Sequence, residues 1–146
     1  MKPRNCWSVL TQKAQDEEDA AHTALARARA RVLELQQSRE RMNDLLEDYK
    51  QKTLAAQAQV QTMSQATNSR QFLMQLLSLV SRVDEDLQVG LRELEQAKTV
   101  LLQATHQRMK METMQEKDLQ AVQDWNRKQE QKQMDALGVT LYNLKA

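Results

Sequence analysis

Turn formers are almost missing from this 146-residue sequence, which holds one proline, Pro3, and two glycines, Gly90 and Gly138. Sheets and compact α/β folds need turn residues every ten or so positions, so both classes are excluded. Aromatic residues are equally scarce at 3%, too few to fill a globular core of this length. A single cysteine, Cys6, excludes an internal disulfide framework, and with two distant histidines it makes no metal site. It reads as a small, semi-buried side chain. No apolar run approaches the roughly 20 residues of a membrane span. The longest, 72–80, contains Gln75 and Ser78, so no transmembrane segment is expected. A basic excess is lacking too. Lys and Arg number 21 against 20 Asp and Glu, a net charge of +1, and a phosphate-neutralising surface wants more, so nucleic acid is not the expected partner. The basic start, Met1 to Asn5, is followed by acidic Asp16 to Asp19 where a signal peptide would be apolar, which points to a cytosolic protein.

What is left is the makings of long helices: Ala, Gln, Leu, Lys, Arg and Glu. Counted in sevens from Trp7, the d positions are Trp7, Ala14, Ala21, Ala28, Leu35, Met42, Tyr49, Ala56 and Met63, all apolar or aromatic. The matching a positions include Leu25, Val32, Leu46 and Val60, together with Glu18 and Arg39. A second run takes Leu73, Leu76, Val80, Val83, Leu87, Gly90, Leu94, Ala97, Leu101, Ala104, Arg108 and Met111. Two such runs read as a coiled coil. Beyond Met111 the seam weakens into a Gln-rich stretch that is expected to fray.

Between the runs lies the polar cluster 64–69, with Asn68 and Gln71 spaced as a capping box. The expected organisation is one all-α domain, a long two-helix antiparallel coiled-coil hairpin. Helix 1 would cover about 5–65, the loop about 66–69 and helix 2 about 70–138. Helices of this size would be about 90–100 Å long at 1.5 Å per residue. With the loop there, Leu46 faces Gly90, Leu35 faces Leu101, Tyr49 faces Leu87, Arg39 lies opposite Ala97 and Arg108 opposite Ala28. One pairing conflicts, Glu18 against Asp118. Trp7 and Trp125 fall within one turn of each other.

No catalytic constellation, phosphate loop or ligand cluster is present, and no cofactor is implied. His22 and His106 sit on different helices as surface residues. Asp16 to Asp19 read as a solvated helix start. Arg27, Arg29 and Arg31 spread their charge around the helix, and Met109, Met111 and Met114 fill a loose part of the seam. These residues describe a non-enzymatic interaction protein.

An acidic, Ala-rich start at 15–21, Glu47-Asp48-Tyr49, a Ser/Asn-containing break, Gln71-Phe72-Leu73 and the run 129–136 follow one another along the chain. In that order and spacing the sequence resembles the flagellar FliJ family, soluble components of the bacterial type III export apparatus. The likeness spans essentially the whole chain. It implies an antiparallel coiled coil shaped like the central stalk of a rotary ATPase, held at the inner face of the membrane at the flagellar base. The implied partners are the hexameric flagellar export ATPase, whose ring such proteins promote, the cytoplasmic domain of the export gate protein FlhA, and export chaperones. The resemblance puts the gate-binding surface on both helices near the turn. Met42, Tyr49, Phe72 and Leu76 match its apolar or aromatic pattern. Leu45, Leu79 and Val83 are apolar where the family pattern is mixed, and Ser38 replaces an amide. Met42, Tyr49 and Leu76 are also seam positions, whereas Phe72 lies one residue off the seam. Two other readings stay open: the related stalk of a virulence type III system, and a passive coiled-coil tether. Genomic neighbourhood would separate them.

Overall fold

In a computed structural model the chain forms two helices, α1 (Asn5–Gln57) and α2 (Met63–Lys145). The structure describes residues 1–59 and 62–145, and no strand occurs among them. The helices are 53 and 83 residues long and pack against each other as an antiparallel coiled-coil hairpin.

α1 ends at Gln57 and α2 opens at Met63, so the helices change over earlier than the sequence suggests. The cause is a capping box one helical turn or more upstream of the expected one. The Thr62 hydroxyl accepts from the Gln65 backbone N–H at 3.2 Å, and the Gln65 side chain accepts from the Thr62 N–H at 3.3 Å. Two of the orphan donors of a new helix are thereby satisfied. The polar cluster 64–69 is helical instead of looped, because its hydroxyls can turn back onto the backbone: Thr67 Oγ1 donates to the Met63 carbonyl at 2.9 Å. At the far end α2 also passes the expected limit of 138 and runs through Gly138 to Lys145.

Moving the break moves the pairing. Gly90 lies against Leu35 and Val32, not Leu46. Arg39 meets Asp84, not Ala97, and Arg108 meets Glu18, not Ala28. From Leu46 to Leu35 is a slip of about 11 residues, three turns at 3.6 residues each. Three whole turns return the same face of the helix, so the seam changes partners without changing membership. The conflict between Glu18 and Asp118 disappears.

The chain divides into two compact units, residues 22–100 and residues 1–21 with 101 onward. In the first, Val32, Leu35 and Leu87 form an apolar knot with Leu94 packed against it. Leu25 and Leu76 are also buried, while Leu46, Val80 and Val83 are half-buried. An added Cβ on Gly90 would stand 3.2 Å from Leu35 Cδ1, so glycine there permits a close helix approach. Val60 lies outside the described residues. Met63, a d position by count, is 88% exposed because it opens α2 and has no helix beside it in the seam.

In the second unit the buried apolar residues are small or few, namely Ala14, Ala21 and Val122, and Leu101 is half-buried. A charged group sits among them. Glu18 is only 8% exposed. It accepts from Arg108 Nε at 2.6 Å, and Arg108 Nη1 donates to both oxygens of Glu112 at 2.8 and 2.9 Å. Hydrogen bonds to Glu18, then to Glu112, raise the Arg108 pKa above its ordinary value against the opposing cost of desolvation. Asp118 accepts from the Arg4 backbone N–H at 2.9 Å, which ties the start of the chain to α2.

Candidate functional site

Near the break, two rows of side chains repeat at helical spacing. Ser38, Met42, Leu45 and Tyr49 recur at i, i+4, i+7 and i+11 on α1, and Phe72, Leu76, Leu79 and Val83 do so on α2. Tyr49 and Phe72 join the rows, with ring centroids 4.6 Å apart and planes tilted by 51°, an arrangement aromatic quadrupoles favour. The Tyr49 hydroxyl donates to the Ser69 carbonyl at 3.4 Å, a long bond that holds the phenol along α2. Farther along, Arg39 Nε stands 2.7 Å from Asp84 Oδ1. That oxygen is shielded from solvent and takes no aligned N–H, so it is compensated by the nearby charge alone.

Within these rows the residues differ in what they can offer a partner. Leu76, at 3% exposure, is core. Met42, Tyr49, Val83 and Ser38 are half-buried. Phe72 is 45% exposed, and Leu45 and Leu79, members of the same two rows, are exposed as well. Sequence reasoning ranked Leu45 and Leu79 behind the matched four. Their spacing from Tyr49 and Phe72 is the signal that brings them in. Met74, Leu77 and Leu54 are further exposed apolar residues near the break that the heptad count does not single out.

The unit with both termini has a second exposed apolar region. Val122 is the last buried residue of α2. Beyond it the helix carries Met134, Leu137, Leu141 and Leu144 along one face, all exposed. The sequence suggests a Gln-rich stretch that frays; in the structure it is helical to Lys145 and carries an apolar stripe. Trp125 is exposed and Trp7 half-buried, and among the described residues the rings in contact are Tyr49 and Phe72. Cys6 is exposed, not semi-buried, since it lies in the first turn of α1. Met109 is exposed while Met111 and Met114 are half-buried.

Two long paired helices, a break set off-centre and apolar rows beside it agree with one comparison. The flagellar FliJ protein family matches residues 8–146. The chain belongs to that family. No curated protein and no solved structure matches it. Membership in the FliJ family makes the chain a component of the flagellar export apparatus, in a family of export components not known as enzymes. Among the described residues no helix is long and apolar enough to cross a membrane, and no group of three or more His, Cys, Asp or Glu could hold a metal ion.

Proposed function

We propose that this FliJ-family chain is a stalk-like coiled coil that promotes assembly and activity of the hexameric export ATPase, links it to the cytoplasmic domain of FlhA and handles export chaperones. It would do so in the cytoplasm, peripherally attached at the inner face of the membrane at the flagellar base. The observation that carries the gate contact is Phe72, a half-exposed aromatic braced on Tyr49, with exposed Leu45 and Leu79 on the same two helical rows. An exposed ring already held in place loses little freedom on binding, which suits an interface anchor. Met42 and Tyr49 would contribute their exposed edges, and Leu76 would act from beneath by packing. For the ATPase contact, the reading rests on the apolar stripe of α2 beyond Val122, which has exposed side chains to bury against a protein lining.

Phe72→Ala is expected to weaken binding to the FlhA cytoplasmic domain at least about tenfold, a typical anchor loss, with helicity by circular dichroism unchanged. Truncation after Gln115 is expected to abolish stimulation of phosphate release by the ATPase and to spare gate binding. Unfolding by Phe72→Ala, with binding retained in the folded fraction, would make Phe72 a packing residue and remove the gate assignment.

A further inference from the structure

We propose that the groove between α1 and α2 in the 22–100 unit docks one amphipathic helix of a partner protein, with carboxylates along one edge and cations along the other. The groove has a volume of about 570 Å³, a floor of Ala24, Ala28 and Ala97, and walls that include Arg27 and Arg31 from α1 and Glu93 from α2. A smaller hollow of about 110 Å³ continues it, sharing Arg31 and Glu93 and adding Asp86, Val89 and Gly90. From residue 24 to residue 35 of α1 the trough is about 16 Å long at 1.5 Å per residue, room for three turns of helix.

Two independent features specify the occupant. The floor is built from alanines and a glycine, which let another helix come near and accept large apolar side chains as knobs between them. Exposed Val89 and Val100 widen the apolar contact. The walls carry opposite charge. Arg27, Glu93 and Asp86 enter no ion pair among the described residues, and Arg31 reaches only Glu34, at 3.7 Å. A helix lying between such walls puts carboxylates toward α1 and cations toward α2. Arg27 and Arg31 are one turn apart, so acids four residues apart would meet both, and guanidinium groups hold carboxylates in a fixed fork. Wall polarity therefore also sets the direction in which the partner runs. The chain's own exposed stripe at 134–144 is a poor match, because Gln129, Gln133 and Thr140 leave one of its edges neutral. That stripe is therefore not the occupant, and the two charged walls call for a partner helix charged on both edges.

The test uses three synthetic helices with one apolar face in common, stapled to remain helical. One has Glu on one edge and Lys on the other, one has Glu on both, and one has Lys on both. Binding to the full chain is followed by fluorescence anisotropy at low salt. The mixed-edge helix should bind about tenfold tighter than either single-sign helix, from two surface pairs of ordinary strength. With R27E/R31E both walls become acidic, and preference should pass to the Lys-edged helix. Phe72→Ala should alter none of these affinities. Equal binding of the three helices, or no change of preference in R27E/R31E, overturns the proposal. So does sedimentation showing that the chain alone is a dimer that R27E/R31E dissociates, because the groove would then be filled by a second copy.

Discussion

The two units of the hairpin hold their helices together by different means. In the 22–100 unit the contact is aliphatic, with Val32, Leu35 and Leu87 closing over a glycine. In the unit with both termini the seam is Ala14, Ala21 and a buried carboxylate answered by Arg108. Apolar burial is roughly proportional to area and indifferent to partner, at about 0.8 kcal/mol per methylene. It would be nearly as favourable three turns out of register. A carboxylate removed from water accepts only a register that brings a cation to it. The first unit thus supplies most of the apolar stability, and the shielded carboxylates, Glu18 on Arg108 above all and then Asp84 on Arg39, decide which residues face which.

Breaking the aliphatic knot should have the largest effect. Leu87→Ala removes a side chain that is 4% exposed and in contact with Val32 and Leu35. Denaturant unfolding should show a loss of about 2–4 kcal/mol, the range for a buried leucine whose surroundings relax only in part. A loss below about 1 kcal/mol would mean that the helices close over the gap and that the knot is not the main source of stability.

Breaking the ionic seam should cost less stability and more specificity. Arg108→Ala removes the guanidinium that faces the buried Glu18 carboxylate and should lower the melting temperature, whereas E18L/R108L should restore or raise it. The double variant should also populate the register slipped by three turns. Spin labels at Gln36 and Gln88, residues that line one groove across the two helices, would report it with Cys6 changed to Ser. In the unaltered seam one short distance is expected, and in E18L/R108L a second, distinctly longer population, because the slip displaces the labels by about 16 Å along the helix axis, the length of 11 helical residues. A single distance in both would show that apolar matching and the Thr62 cap suffice to fix the register.

That slip also explains what could be read from the sequence. Heptad spacing gave away the fold class, and Leu25, Val32, Leu35 and Leu87, picked by counting, are buried. Counting identifies the face of a helix but not its height along the partner, because a shift of three turns leaves the face unchanged. Height depends on where the chain turns, and the choice lay between two capping boxes of similar chemistry. Asn68 and Gln71 look as good on paper as Thr62 and Gln65. The conflict of Glu18 with Asp118 was the legible warning, since a buried carboxylate opposite a second one is seldom tolerated. At the candidate site, Phe72 was legible as an off-seam aromatic. Its brace, Tyr49, was not, because with the break misplaced Tyr49 was paired with Leu87.

The smallest effects should separate the paired and unpaired stretches of α2. Both glycines are helical, and alanine is the better helix former by up to about 1 kcal/mol. At Gly90 a methyl would lie 3.2 Å from Leu35 Cδ1 and 3.6 Å from Val32 Cγ2. The Leu35 side chain must yield by a few tenths of an ångström, so the propensity gain is offset and Gly90→Ala should fall within about 0.5 kcal/mol of the parent. At Gly138 the methyl would meet nothing within 4 Å. Gly138→Ala should therefore keep its full gain, but only locally. The helix there has no buried side chain to couple it to global unfolding, and a segment that opens by itself does not raise the stability of the rest. Amide exchange should slow several-fold around residues 134–142, consistent with about 1 kcal/mol of local protection, while the global midpoint stays put. A rise in the global midpoint would show that this end of α2 unfolds together with the hairpin and belongs to its cooperative core.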